Sequence, residues 1–432
     1  MSSESAASDA LSQTLPSSSV PVEFLTGAAG TGKTFTLKKR IEADSEYGLL
    51  TATTGIAAVN LGATTINSAL GYFDTTSLDA ASQTGELQSN LLHIGESYRN
   101  LIVDEVSMMD RRQLDIIYRA VQDVNTDTLR ERPLGLVLTG DFCQLPPIPA
   151  RGSLTLPWAF EADCWPQFES HTTTLTKHFR HSDAAFLEAL NHFRAGRGND
   201  GADILKGIVE FAPRLDDAFD GTVVFGRNDE VDRYNAYRFS KLPGETIPFP
   251  STRWDRTLPA WKNIPDTLEL KENALVMVLT NEAKTFSYVN GDTGHVRDFI
   301  TIESRIGGEM EDVPAVVIEL KRTGEDVVIP LIERLNTVDE PPGDYRFGLQ
   351  KYVRGGIRYM PLRLAYATTC HKSQGLTLDN IQIDVRGQFF GHPAMTYVSL
   401  SRCRTAQGLR IVGSPSILAS RCKIHPKVKR YL

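Results

Sequence analysis

The sequence predicts an α/β protein built on parallel sheets, with a small β module inserted in its second half. Three observations carry this. Short apolar runs alternate with helical patterns from residue 22 to about 175, and again beyond 183. A glycine-rich loop, Gly27-Ala28-Ala29-Gly30-Thr31-Gly32-Lys33-Thr34, follows the first of those runs directly. Further on, where residues 290–335 change character, Val316–Leu320 and Val327–Leu331 flank a Thr-Gly-Glu-Asp turn. Short apolar strands separated by helices are the pattern of a parallel sheet covered on both faces.

Taken in order, residues 1–20 are Ser- and Ala-rich and read as a flexible lead-in. Strands are expected at 22–26, 48–53, 101–103 and 135–139. Asp110 is placed to cap a helix whose Leu114, Ile117, Tyr118 and Val121 fall on one face. The polar stretch 71–98 interrupts the pattern and reads as an insertion or small subdomain. Asp183 is placed to cap a second helix presenting Phe186, Leu190 and Phe193. Strands follow at 222–225, 381–385 and 409–412, and the 316–331 pair reads as a β-hairpin.

With 432 residues the chain exceeds one small core and implies two to four domains. No apolar stretch is long enough to span a bilayer, and the N-terminal residues lack a signal-peptide layout. The five cysteines, Cys143, Cys164, Cys370, Cys403 and Cys422, show no paired short spacing, so neither zinc nor a disulfide framework is indicated. These features set the expectation of a soluble protein in a reducing intracellular setting, with cytoplasm and nucleus both open. A net charge of −7 excludes a uniformly basic surface, so any nucleic-acid contact must come from a local groove.

The loop carries the chemistry. A strand feeding Gly27–Thr34, which then opens a helix, aims successive backbone N–H groups at a polyphosphate. Lys33 reaches the β/γ-phosphates and Thr34 suits Mg²⁺. A chance glycine-rich turn explains neither the Lys-Thr pair nor the preceding strand. The chain therefore binds a nucleoside triphosphate.

Leu101-Ile102-Val103 ends in Asp104-Glu105, about seventy residues after the loop. Asp104 would hold Mg²⁺ through its water shell, and Glu105 would orient the attacking water. The alternative is a solvated acidic turn. Gly140-Asp141-Phe142-Cys143-Gln144-Leu145-Pro146-Pro147 follows the next strand, and Gln144 can hydrogen-bond a γ-phosphate or the water beside it. Pro-Pro also marks plain turns. Arg180 and Arg402 lie where a second domain can supply them to a transferring phosphoryl group, although either alone reads more readily as a surface charge, and the role rests on the resemblance given below. Three polar clusters, Thr53-Thr54-Gly55, Thr64–Ser68 and Thr368–Gly375, suit contact with a nucleic-acid backbone, or are ordinary helix starts.

In this order, the segments resemble the PIF-type branch of superfamily 1 DNA helicases, which also contains the RecD-like enzymes. The carriers are Gly27–Thr34, Thr53–Ala58, Asp104–Asp110, Gly140–Pro147, Leu175–Arg180, Val289–Gly294, Thr368–Gly375 and Tyr397–Arg404. The resemblance implies two RecA-like P-loop domains, with a first domain at 21–175 and a second at 176–288 plus 360–432. It also implies an SH3-like β insertion at 289–359. It implies ATP- and Mg²⁺-driven 5′→3′ movement of a monomer on single-stranded DNA, with unwinding of 5′-tailed duplexes.

Lys33, Glu105, Gln144, Arg180 and Arg402 would be catalytic, Thr34 and Asp104 would hold the metal, and Gly375 would join the loop residues at the nucleotide. Thr54, Gly55, Thr65, Asn67, Ser68, Thr369, His371 and Lys372 would touch DNA. The family's upstream adenine-reading Gln has only Gln13 to match it, and Leu15-Pro16-Ser17 would break its helix. No long extension flanks the motor blocks, so accessory partner-binding domains are not expected. Two other readings stay open. One is a DNA-stimulated ATPase or remodelling module without unwinding, since the strand-splitting wedge is placed only by a guess at Tyr72 and Phe73. The other, a small-molecule kinase, leaves the C-terminal blocks without a role.

Overall fold

The computed structural model describes residues 20–126, 132–147, 157–181, 183–257, 261, 264–280, 282, 287–288, 290–306, 309–340 and 350–432. The expected lead-in up to residue 19, with Gln13, lies outside the described residues, as does Val289. The chain divides into two compact units. The first holds the chain through Ala58, Ala63–Arg180 and His425–Leu432; the second holds Val59–Gly62 and His181–Ile424.

The first unit is built on β1 (Val22–Thr26), β2 (Leu49–Ala52), β3 (Thr64–Thr65), β4 (Asn100–Asp104), β5 (Gly135–Gly140) and β6 (Thr172–Thr174). These pair in the order β3-β2-β4-β5-β1-β6, every neighbour parallel. Leu101, Ile102 and Val103 of β4 and Leu136 and Leu138 of β5 are fully buried, as a central parallel strand requires. Its helices are α1 (Lys33–Ala43), α2 (Gly55–Leu61), α3 (Ile66–Leu70), α4 (Thr75–Thr84), α5 (Glu86–Ser97), α6 (Arg111–Asn125) and α7 (Trp165–Glu169).

Asp110 caps α6, its Oδ1 accepting from the Arg112 backbone N–H at 2.7 Å, and Leu114, Ile117, Tyr118 and Val121 are buried as the spacing demands. Asp110→Ala is expected to remove about 1 kcal/mol of stability. A lowered denaturant midpoint at constant slope checks it.

The 71–98 stretch is more regular than its composition suggests. Asp74 and Ser77 form a capping box on α4, and α5 follows after Gly85. Leu78, Ala81, Leu87, Leu91 and Ile94 form a narrow buried stripe. A stripe that narrow is diluted by polar neighbours on the other faces, which hides the period.

The second unit begins with α8 (Ala184–Arg194), capped by Asp183, and α9 (Gly198–Ile208). Then come β7 (Glu210–Ala212), β8 (Thr222–Phe225), α10 (Asn228–Ser240), β9 (Ile247–Pro250), β10 (Thr252–Asp255), β11 (Thr267–Leu270) and β12 (Leu275–Val278). The long strands β13 (Thr293–Ile306) and β14 (Glu309–Leu320) precede β15 (Asp326–Pro330), β16 (Ile332–Glu340), β17 (Gln350–Tyr359) and β18 (Leu362–Leu364). The unit closes with β19 (Ala367–Thr369), α11 (Cys370–Ser373), β20 (Ile381–Asp384), α12 (Met395–Leu400), β21 (Leu409–Val412) and α13 (Pro415–Arg421).

Its parallel sheet has the order β19-β8-β20-β21-β7. A separate antiparallel sheet, β15-β14-β13-β12-β18, contains the expected hairpin, with Val316 opposite Ile329 and Ile318 opposite Val327. Val276, Val296, Val316, Ile318 and Ile329 fill its core. Because β12 and β18 join it, this sheet is wider than the 289–359 insertion expected from the sequence. Among the described residues no helix is long and apolar enough to cross a membrane.

Two boundaries differ from expectation. Leu175–Arg180 belongs with the first unit, because the Leu175 N–H donates to Thr26 O at 2.8 Å and the Phe179 N–H to Gly30 O at 2.9 Å. Residues 425–432 also belong there, held by aromatic contacts to Trp158, Phe160, Trp165 and Phe142.

Candidate functional site

The phosphate loop leaves the C-terminal edge of β1 between β5 and β6. Gly27 has φ +149°, and a Cβ there would lie 2.5 Å from Leu175 O and 2.7 Å from Thr31 Oγ1, so only glycine lets the backbone pass. Gly32, at φ +82°, is the N-cap of α1, which leaves the free N–H groups of the helix's first turn facing the loop. The Lys33 ammonium donates to the loop's own carbonyls, at 2.7 Å from Gly27 O and 3.1 Å from Ala28 O. Ala29 and Thr31 are buried in the loop, and the Thr31 hydroxyl donates to Ala28 O at 2.9 Å. The loop is thus closed on itself, with the Lys33 ammonium held by its carbonyls.

Asp104 ends β4 and is buried. Both of its oxygens are engaged: the Thr34 hydroxyl donates to Oδ2 at 2.8 Å, and the Glu105 N–H donates to Oδ1 at 2.8 Å. Burial, with the neighbouring Glu105 charge, pushes its carboxyl up to about 6. Glu105 itself sits at φ +57°, a left-handed conformation that costs a non-glycine residue free energy. The Thr53 hydroxyl, donating to Glu105 O at 2.9 Å, and the Thr53 N–H, donating to Asp104 O at 3.1 Å, hold that turn.

From β5 come Asp141 and Gln144, both buried. Asp141 is a site residue that sequence reasoning passed over. Desolvation pulls the Lys33 ammonium below its usual range, and Asp141 is the strongest of the carboxylates opposing that, ahead of Glu105 and Asp104. Its signal was positional: it directly follows the strand that neighbours β1. Gln144 is 4% exposed, and its Oε1 has no hydrogen-bond partner among the described residues. A buried carbonyl oxygen left so is costly unless a ligand or water meets it, which fits a nucleotide in this loop.

The structure corrects the source of Arg180. It belongs to the first unit, and its positive charge already depresses Lys33. One residue earlier in the chain, the exposed Phe179 ring lies against the loop, 3.1 Å from where a Gly32 Cβ would stand.

Thr34 and Asp104 also form the minimal pair for a divalent cation. Among the described residues no three His, Cys, Asp or Glu side chains gather into a metal-binding group. Mg²⁺ suits one hydroxyl and one carboxylate, since it keeps several waters and takes the rest from phosphate oxygens.

The polar clusters are ordered before any ligand arrives. Thr54 Oγ1 accepts from the Ala57 N–H at 3.2 Å, and a Cβ on Gly55 would meet nothing within 4 Å. Thr65 caps α3, accepting from the Ser68 N–H at 3.1 Å, and Asn67 Nδ2 donates to Phe73 O at 3.3 Å. Tyr72 is 3% exposed and so cannot present a wedge, whereas Phe73 is 77% exposed. In the second unit Thr369 caps α11, accepting from the Lys372 N–H at 3.1 Å, and His371 is exposed. Gly375 follows at φ +80°. The Gly291 turn packs against Leu376, braced by a two-pronged Arg322–Asp292 pair at 3.0 Å.

Arg402, also in the second unit, is 1% exposed. Its guanidinium donates to Val398 O at 3.0 Å, Leu376 O at 3.4 Å and Ser401 Oγ at 2.9 Å, which fixes its orientation.

The PIF1-like helicase family model matches residues 4–200. The rat ATP-dependent DNA helicase PIF1 is 30% identical over 411 residues, covering 90% of this chain and 58% of that protein. The Bdellovibrio bacteriovorus helicase Pif1 is 29% identical over 397 residues, covering 90% and 84%. The solved structure of Pif1 from Bacteroides sp. in complex with ADP-AlF4 superposes with a TM-score of 0.70 at 26% identity, covering 96% of this chain and 93% of that one. The chain spans between 44% and 62% of the length of four of its eukaryotic relatives. With the loop, the Thr34–Asp104 contact and the polar clusters in the order described, these likenesses agree: the chain is similar to the PIF1-like helicases over most of its length.

Proposed function

We propose that this chain is an ATP-dependent DNA helicase that moves 5′→3′ along single-stranded DNA as a monomer and unwinds 5′-tailed duplexes. The observation that carries the reading is the 2.8 Å contact between Thr34 and Asp104, with Lys33 bridging the adjacent loop. It puts the hydroxyl, the carboxylate and the ammonium of phosphoryl transfer in one place. Relatives support the rest: Bacteroides Pif1 has been solved with ADP-AlF4, and separately bound to single-stranded DNA.

In this reading Lys33 exchanges the Gly27 and Ala28 carbonyls for the β- and γ-phosphates of ATP, and the first-turn N–H groups of α1 cradle the same phosphates. Thr34, and Asp104 through its water shell, would hold Mg²⁺, which would supply neutralisation of charge on the phosphate oxygens. Glu105 accepts the proton of the attacking water, and the free Gln144 carbonyl orients that water. The roles proposed for Arg180 and Arg402 are charge neutralisation at the transferred group. Thr54, Gly55, Thr65, Asn67 and Ser68 in the first unit, and Thr369, His371 and Lys372 in the second, are proposed to grip the DNA backbone. The β13–β15 module is proposed as an SH3-like guide for the strand.

A strand-displacement assay on 5′-tailed and 3′-tailed duplexes tests the whole. Displacement confined to the 5′-tailed substrate is expected, weakening as salt rises because phosphate contacts dominate. A 3′-tail preference reverses the polarity, and ATP hydrolysis with displacement of neither substrate favours a remodelling ATPase.

A further inference from the structure

The turn that carries Gln144 has an unexplained support. Between Asp141 and Gln144 stands Phe142, 1% exposed, and its ring is packed among aromatic neighbours: Phe24 of β1 at 5.5 Å, Phe160 at 4.9 Å, Trp165 at 5.3 Å and Tyr431 at 4.8 Å between ring centroids. Three of these come from the body of the first unit. Tyr431 comes from residues 425–432, more than two hundred positions downstream in sequence, and is held there by its own set of anchors. The Arg430 guanidinium lies over the Phe160 and Tyr431 rings at 4.8 and 5.0 Å and donates to Phe160 O at 3.1 Å. Lys427 pairs with Glu161, His425 packs against Trp158 at 5.6 Å, and Val428 is buried.

We infer that Tyr431 is a positioning residue for ATP hydrolysis, acting through Phe142 on Gln144. This rests on the ATPase reading above. The Gln144 backbone N–H donates to Asp141 O at 2.8 Å and the Cys143 N–H to Asp141 Oδ1 at 3.1 Å, so residues 141–144 move as one turn. Among the described residues the Gln144 side-chain oxygen has no hydrogen-bond partner to aim it. Its aim is therefore set by where the turn sits, and the turn is located by how tightly Phe142 is packed. Removing the Tyr431 ring opens space beside Phe142, into which the ring and its turn relax. Shifts of this kind away from the chemistry reduce turnover while leaving binding contacts alone. The phosphate-holding groups, the loop N–H groups, Lys33 and Thr34, are not among the rings packed on Phe142, and the turn acts on them through the charge of Asp141 on Lys33.

The test compares wild type, Tyr431→Ala and Tyr431→Phe at saturating single-stranded DNA, reading kcat and KM for ATP beside the affinity for a fluorescent ADP analogue. Tyr431→Ala is expected to lower kcat about tenfold, with KM and ADP affinity within about twofold of wild type, and Tyr431→Phe, which keeps the ring, is expected to restore kcat. A purely structural role would lower the melting temperature and the folded fraction but not kcat per folded molecule. Should Tyr431→Ala not fold, Tyr431→Leu, which refills part of the volume without the ring, carries the same comparison. Parity of kcat in the ring-less variant overturns the inference, as does a parallel loss of kcat and ADP affinity. A wild-type chain that binds ADP and hydrolyses no ATP overturns the ATPase reading itself, a result distinct from either.

Discussion

Lys33→Ala is expected to reduce DNA-stimulated ATP hydrolysis by about 10²–10³-fold or more, the loss seen when one preorganised electrostatic contact to a transition state is deleted. The ammonium is the cation across the loop mouth, 2.7 Å from Gly27 O, and Asp141, Glu105 and Asp104 all act on it. Without it, those carboxylates stand opposite the incoming triphosphate with less positive charge between them. The fold has no reason to suffer. Position 33 opens α1, where alanine is the best helix former, and the lysine's bonds go to loop carbonyls that water can satisfy. Unchanged melting with lost hydrolysis is the expected pair of results. Undiminished hydrolysis would refute the assignment of the site.

Glu105→Gln is expected to cost about 10²–10⁴-fold in hydrolysis, the usual contribution of a positioned general base, with nucleotide binding retained. Asp104 cannot replace the lost base, since both its oxygens already accept hydrogen bonds from Thr34 and from the Glu105 N–H. Glutamine keeps the side-chain length and meets the same left-handed backbone at φ +57°, so the Thr53 clamp on the turn survives. Single-turnover hydrolysis beside ADP affinity separates the two effects. A variant that hydrolyses within a few-fold of wild type would move the base role elsewhere, with Asp141 the next carboxylate to examine.

Much of the fold was legible because local pattern and tertiary need coincide. The run Val22–Thr26 is a strand end to end, and Asp110 and Asp183 cap the helices their positions announced. The hairpin around residues 323–326 forms with its two β-branched runs in register. The paired helices α4 and α5 were missed because only a thin stripe of each is apolar. Tyr72 and Phe73 shared the guess at a wedge, yet one is buried and the other open.

The site divides the same way. Its nucleotide half is written in contiguous residues, because a phosphate is bound by backbone N–H groups and a lysine within a few positions of one another, and only a strand–loop–helix can present them. The sequence alone therefore determined the glycine-rich strand–loop–helix, the acidic pair after β4 and the parallel α/β architecture. Tertiary structure decided what depends on distant segments meeting. It stitched Leu175–Arg180 onto the phosphate loop, made Asp141 the main counter-charge to Lys33, and set Tyr431 against Phe142. Such contacts arise from which strands neighbour β1 and which rings fill the remaining volume, and close packing of that kind leaves no periodic trace along the chain.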